Sequence, residues 1–244
     1  MSNNKENVNI MDIPFINSTK DQFLNHQIRP HLEKQKKCFI VTANPEIVME
    51  TRRNKAYKEI VQSADFVVPD GVGIILAAKY KKQALQERIA GFDLMKDMLK
   101  MADDTAVKCF FLGSSEETNK EAVENIKNSY PQLKVVGRHH GYFDLDDASI
   151  SSLVEEAKPD FIFVALGYPK QEMWIYNNIH KFKKGIFMGV GGSLDVLAGQ
   201  VKRAPKFWIR LNLEWFYRII KQPSRWKRIF PVFKFLWLVY TRRD

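Results

Sequence analysis

The sequence predicts a doubly wound α/β fold on a mostly parallel sheet, followed by a helical, basic C-terminal appendage. Three observations lead there. Short apolar runs without polar alternation recur through the first 200 residues, amphipathic stretches separate them, and the composition changes sharply near residue 200.

The apolar runs are CFIVT (38–42), FVV (66–68), VKCFFLG (107–113), LKVVG (133–137), FIFVALG (161–167) and GIFMGVGG (185–192). They are rich in Val, Ile and Phe, the pattern of strands buried on both faces of a parallel sheet. Helix-like segments fall at 45–63, 72–82, 91–103, 115–129, 147–157 and 170–181. Strand and helix thus alternate, which predicts a layered, Rossmann-like arrangement. Ser114 or Ser115 and Asp146 or Asp147 stand where helix N-caps are expected. With 244 residues, 45% of them hydrophobic, the chain can bury a sizeable core. No internal repeat or low-complexity linker interrupts it.

Cys38 and Cys109 each sit inside an apolar run, so both are expected to be buried, reduced thiols of a cytosolic chain rather than a disulfide or a metal pair. The polar start MSNNKENVNI carries no apolar stretch, so no secretory signal is expected. A spanning helix needs roughly 18 or more consecutive apolar residues. The nearest approach, IFPVFKFLWLVY from Ile229 to Tyr240, is short and interrupted by Pro231 and Lys234. Any membrane contact is therefore expected to be peripheral.

Charge divides the chain. From Val201 onward twelve Lys/Arg face only Glu214 and Asp244, so the whole formal net charge of +10 lies there, while the first 200 residues balance at 26 of each sign. Four of the five tryptophans (Trp208, Trp215, Trp226 and Trp237) fall in the same stretch. We therefore expect a core over residues 1–200 and an appendage over 201–244. Trp208, Leu211, Trp215 and Ile219 recur at helical spacing as one apolar stripe. Composition leaves three readings open. The tail can be a membrane-surface segment, with aromatics in the headgroup boundary and cations on anionic lipid. It can be a nucleic-acid face, with arginines on phosphates and rings for stacking. It can also be a packed helix pair with a solvated basic side.

Five of the runs end in small or polar residues: TANPE (42–46), PDGVG (69–73), LGSS (112–115), LGYPKQE (166–172) and GVGGSLD (189–195). Ligands of open α/β sheets bind beyond the carboxyl ends of strands, where helix N-termini also offer free N–H groups. Chemistry is expected at these ends. Singly, each motif has a plain reading. GVGGSLD can be a tight turn, and is neither GxGxxG nor a P-loop. Asp70 precedes Gly71, and Asp-Gly suits turns. Lys170, Gln171 and Glu172 after Pro169 suit the start of a helix. Asp144-Leu145-Asp146 has the spacing of a metal-holding Asp-x-Asp, but a helix follows it and capping is the better reading. His139 and His140 would point to opposite faces of a strand, so they make a poor chelating pair. No metal-ligand cluster and no nucleophile elbow are found.

Together the blocks say more. VTANPEIV, PDGVG, RIAGFDL, HGYFD, KPDFIFVALGYPKQEMWI, GVGGSLDVLAG, VKRAP and LEWFYR, in this order, resemble the WecG/TagA/CpsF glycosyltransferases over roughly residues 38 to 228. The pattern is nearest to the TagA/TarA branch of wall teichoic acid synthesis, and the last block also resembles WecG of enterobacterial common antigen synthesis. The resemblance implies inverting transfer of N-acetylmannosamine from its UDP donor to GlcNAc-diphospho-undecaprenol, without metal or other cofactor. It implies Asp70 as the base. It implies Thr42, Asn44, Arg88 and Gln171 at the donor sugar or diphosphate, and Tyr142 and Asp195 at the uridine end. Arg218, Arg225 and Arg228 are implied to hold charge on the departing diphosphate, a task suited to arginine's planar fork.

The expected partners are therefore a UDP-sugar, a lipid-linked diphosphate acceptor and an anionic membrane surface, not nucleic acid, with a homo-oligomer expected in solution. The expected place is cytoplasmic, on the inner face of the cell membrane. Transfer from UDP-N-acetylmannosaminuronic acid or another capsule donor stays open, as does a non-catalytic nucleotide- or nucleic-acid-binding module.

Overall fold

Eight strands form one sheet in the order β1-β2-β4-β3-β8-β7-β5-β6. The computed structural model describes residues 7–205, 207–208, 214–221 and 229–241, with backbone alone for Trp215, Arg218, Ile219, Lys221 and Ile229. The strands are β1 (Asn7–Ile10), β2 (Ile13–Ile16), β3 (Lys37–Ala43), β4 (Phe66–Pro69), β5 (Lys108–Gly113), β6 (Lys134–His139), β7 (Phe161–Ala165) and β8 (Gly185–Gly189). The β1–β2 pair is antiparallel and every other pairing is parallel. All six predicted strands are present, in a mostly parallel α/β sheet.

The N-terminal hairpin is an addition to the expectation. Its strands are four residues each, and its turn is Met11-Asp12, both at positive φ, where Asn-Gly or Asp-Gly would announce a hairpin. Lys20–Phe23 (α1) and Arg29–Glu33 (α2), joined by a π-helical turn, complete this unpredicted region. Thr19 caps α1 through a capping box with Gln22.

Alternate side chains of each strand enter two cores. Phe39 and Val41 of β3, with Val67, Leu112, Val164 and Phe187, face helices α3 (Pro45–Arg53), α4 (Lys55–Gln62), α5 (Val72–Tyr80), α8 (Ala148–Glu156) and α9 (Lys170–Asn178). Cys38 and Ile40, with Val68, Cys109, Phe111, Phe163 and Met188, face α6 (Gly91–Thr105), α7 (Glu116–Ser129) and α10 (Ser193–Leu197). Both cysteines are buried and unpaired. Burying each Phe, Leu or Ile contributes roughly 1.5–3 kcal/mol.

The segment 45–63, predicted as one helix, is two. Asn54 leaves the helical region (φ −121, ψ 104) and its Oδ1 accepts from Tyr57 N at 3.0 Å, so it ends α3 and caps α4. Ser115 caps α7 and Asp147 caps α8, as the sequence allowed.

Beyond residue 205 two described helices follow, α11 (Glu214–Lys221) and α12 (Ile229–Tyr240). Helix α12 lies on α3 and α5. Phe235, Leu238 and Val239 are buried in the same core as Ile47, Val48, Ile74 and Ala77. Its other side exposes Phe230, Phe233, Trp237 and Tyr240. Among the described residues no helix is long and apolar enough to cross a membrane.

Candidate active site

The parallel sheet brings the carboxyl ends of β4, β3, β8, β7 and β5 to one edge, and predicted residues lie along it from Asp70 at β4 to the loop after β5. At β4 the chain leaves Pro69 and Asp70 turns back: its N–H donates to Ala43 O of β3 at 2.9 Å. Gly71, at φ +103, makes the turn that an L side chain would strain. The turn expected of Asp-Gly is therefore present, and it sets Asp70 at the carboxyl end of β4.

The Asp70 carboxylate has a definite task. Helix α6 begins after Ala90, which offers no side-chain cap. Asp70 Oδ2 instead accepts from Gly91 N at 3.0 Å. A remote aspartate thus takes the cap position, where the helix dipole favours an anion. The approach is close: a Cβ on residue 91 would lie 3.2 Å from Asp70 Oδ2 and 3.2 Å from both Cβ and Cγ2 of Thr42, so one of them would have to give way. Asp70, Gly91 and Thr42 are therefore packed together. Thr42 Oγ1 also donates to Gly189 O at 3.2 Å, tying the end of β3 to that of β8. Asn44 caps α3, with its Oδ1 accepting from Ile47 N at 3.1 Å, and its Cβ adjoins Gly71.

Arg88 lies half-buried just before α6, where its charge helps hold the Asp93 carboxyl below its ordinary range. Burial acts the other way on Asp93 and is the largest single influence. The hydrogen bond and charge of Arg203, with Lys20 and Arg88, outweigh it. Arg203 Nη2 donates to Asp93 Oδ2 at 2.7 Å, and its guanidinium carbon lies 4.8 Å from the centre of the Phe92 ring.

In the middle of the edge, Gln171 is almost fully buried. Its Oε1 accepts from Gly191 N at 3.0 Å and its Nε2 donates to Glu172 Oε1 at 2.7 Å. Glu172 is wholly buried in the first turn of α9 and also accepts from Tyr57 Oη at 3.1 Å. Burial raises its carboxyl to about 7, although both hydrogen bonds favour the charged form. The chain Gly191–Gln171–Glu172–Tyr57 holds the glycine turn after β8 against α9 and α4.

At the β5 end, Ser114 Oγ donates to Asp195 Oδ1 at 3.0 Å, and Ser114 O accepts from Gly141 N at 2.7 Å. This joins Asp195 of α10 to the loop that carries Tyr142, whose side chain is 79% exposed. Tyr142 and Asp195 therefore meet at one end of the edge, and Thr42, Asn44, Arg88 and Asp70 at the other, with Gln171 between.

Asp144 Oδ1 accepts from Asp146 N at 3.1 Å and Asp147 caps α8, so the Asp-x-Asp segment is engaged in turn and cap. His140 stands just past β6, and its ring is tilted 4.4 Å from that of His139, so the two do not point to opposite faces. No group of three or more potential ligands comes together among the described residues. Arg225 and Arg228 lie outside the described residues, and of Arg218 only the backbone within α11 is described. Asp93 and Arg203 carried no expectation and Glu172 only that of a helix start, although all three lie inside the blocks RIAGFDL, VKRAP and KPDFIFVALGYPKQEMWI.

The chain matches the Glycosyl transferase WecG/TagA/CpsF family over residues 8–244. It is 39% identical over 227 residues to a protein of Bacillus spizizenii, covering 93% of this chain and 88% of that one. It is 38% identical over 226 residues to one of Bacillus subtilis strain 168, with 93% and 88% covered. Against one of Staphylococcus aureus strain MRSA252 it is 41% identical over 228 residues, again with 93% and 88% covered. All three are named N-acetylglucosaminyldiphosphoundecaprenol N-acetyl-beta-D-mannosaminyltransferase. The match spans all eight blocks, and the chain belongs to the WecG/TagA/CpsF glycosyltransferase family.

Proposed function

We propose that this protein is the inverting transferase that moves N-acetylmannosamine from UDP-N-acetylmannosamine to GlcNAc-diphospho-undecaprenol, a step of wall teichoic acid linkage-unit synthesis. The observation that carries the mechanism is the seating of Asp70: a carboxylate at a strand end, pinned through Gly91 N, with Thr42 also close beside Gly91. Inversion needs one in-line displacement. The acceptor hydroxyl attacks the anomeric carbon, Asp70 takes its proton, and UDP leaves with the bonding electrons. A carboxylate has about four lone-pair sites, so it can hold the cap and still accept a proton.

In this reading Thr42, Asn44, Arg88 and Gln171 face the donor sugar and diphosphate. Tyr142 and Asp195 face the uridine, where the exposed Tyr142 ring supplies a stacking surface beside a carboxylate that can accept from ribose or base. Arg218, Arg225 and Arg228 supply the positive charge that offsets the developing diphosphate charge. No step uses a metal.

The segment from residue 201 serves the acceptor, whose lipid keeps it in a bilayer. Support comes from α12: Phe230, Phe233, Trp237 and Tyr240 are exposed, and Leu76 and Tyr80 extend the same apolar surface across α5, with the Tyr80 and Tyr240 rings 4.5 Å apart. With the basic composition of the tail, this surface suits the headgroup boundary of an anionic membrane. The test is UDP release from several UDP-sugars with and without a GlcNAc-diphospho-lipid analogue, in the presence of EDTA. Release from UDP-N-acetylmannosamine that depends on the acceptor supports the assignment, and release from no donor overturns it.

A further inference from the structure

We propose that Arg203 is a positioning residue for the transfer, a clasp that fastens α11 to the first turn of α6 and so couples the tail to the seating of Asp70. This rests on the reading of Asp70 as the base.

Three consecutive residues open α6. Gly91 holds the Asp70 carboxylate, and Phe92 and Asp93 hold Arg203. On its other side Arg203 Nε lies 3.9 Å from Glu214 Oε1, in the first turn of α11. Asp93, Glu214 and Asp70 each favour the charged guanidinium. The side chains are mostly shielded from water: Arg203 is 24% exposed and Glu214 14%, so the ion pairs are screened less than on an open surface. Arg203 is one residue from Ala204, which is itself buried, so the chain is fixed where it leaves the α/β layers.

The geometry uses features that lysine lacks. The guanidinium carbon sits over the Phe92 ring, Nη2 bonds Asp93 and Nε faces Glu214. The two halves differ. The Asp93 contact is a hydrogen bond of 2.7 Å, whereas the Glu214 contact is an ion pair of 3.9 Å in which the buried Nε makes no described hydrogen bond. Arg203 is thus held to α6 through Asp93, and Glu214 of the tail closes against it. Loss of the clasp leaves the tail able to dock through α12 but unregistered against the base. The turnover step should suffer, and donor binding should not.

The experiment uses the full chain with UDP-N-acetylmannosamine and a GlcNAc-diphospho-lipid analogue, measuring kcat and KM separately for Arg203→Gln, Arg203→Lys, Glu214→Gln and the Arg203→Gln/Glu214→Gln pair. We expect Arg203→Gln to lower kcat about tenfold or more with the donor KM within about threefold. Glu214→Gln should fall in the same direction by less, and the pair should match Arg203→Gln alone, because two ends of one contact do not add. Arg203→Lys should restore the thermal midpoint without restoring kcat, which separates positioning from mere stability. Arg203→Gln with kcat within about twofold of wild type, or losses that multiply in the pair, overturns the clasp. Should Arg203→Gln fail to fold, Glu214→Gln decides alone: kcat within experimental error of wild type overturns the clasp. Asp70→Asn in the same assay tests the underlying reading separately, since its retention of turnover removes Asp70 as base whatever the Arg203 variants do.

Discussion

The Asp70 carboxylate caps helix α6 from outside it, accepting from Gly91 N at 3.0 Å, so one side chain joins the end of β4 to the start of a 15-residue helix. The contact ties the two ends of the segment 71–90 together across helix α5 and the loop 81–90.

This double duty separates two substitutions. Asp70→Asn keeps an oxygen that can accept from Gly91 but loses the carboxylate proposed as the base. Turnover should fall by about 10²–10⁴-fold with the thermal midpoint little changed. Asp70→Ala loses the cap as well, and should cost a further ~1 kcal/mol in urea unfolding. Equal stability losses in the two variants would contradict the cap.

Gly91→Ala offers a converse case. In an ordinary helix position alanine is favoured over glycine by about 1 kcal/mol. Here its methyl meets Asp70 Oδ2 and Thr42 at 3.2 Å and must displace one of them. We expect lower kcat with no gain in urea midpoint, measured by UDP release and unfolding of the same preparation.

Glu172 predicts a pH effect of definite sign. Its carboxyl is raised from an ordinary 4.5 to about 7 by burial, so the native state binds the proton that the unfolded chain releases. The contribution is fully present below pH 4.5 and is lost as pH rises through 7. Its full range is on the order of 3 kcal/mol. Wild-type unfolding free energy should therefore decline between pH 5 and 8 relative to Glu172→Gln, which keeps the volume and has no proton to lose. Parallel urea stability curves for the two proteins across that range would contradict it.

Helix α12 has two faces with different expected behaviour. Phe235→Ala empties a fully buried site shared with α3 and α5 and should cost about 3–5 kcal/mol. Phe233→Ala, at a side chain 62% exposed, should leave the urea midpoint nearly unchanged while weakening sedimentation with anionic vesicles. Unchanged vesicle binding by a Phe230→Ala/Phe233→Ala protein would remove this face from the membrane contact.

How much was legible in the sequence follows from these residues. The six parallel strands were readable because each is an apolar run flanked by turn chemistry. The β1–β2 hairpin was not, because its strands are only four residues each, too short for the NVNI alternation to stand out, and Met11-Asp12 carries no hairpin signal. Asn54 is a good cap but stands inside a continuous amphipathic pattern, so α3 and α4 read as one. Asp70, Thr42 and Asn44 could be named from their blocks, but the contact that fixes Asp70 depends on a residue 21 positions away. Arg203 lies in a basic stretch, and nothing in its neighbours distinguishes it from the other cations. Its partners Asp93 and Glu214 become visible only in three dimensions. The charge shift near residue 200 reports composition, and the burial of Phe235 is independent of it.

The most direct measurement is acceptor-dependent UDP release by the full-length protein from a panel of UDP-sugars, with EDTA present. Release is expected from UDP-N-acetylmannosamine when, and only when, a GlcNAc-diphospho-lipid analogue is added, unaffected by EDTA and slowed about 10²-fold or more in Asp70→Asn. Absence of release from every donor, or full release by Asp70→Asn, would contradict it.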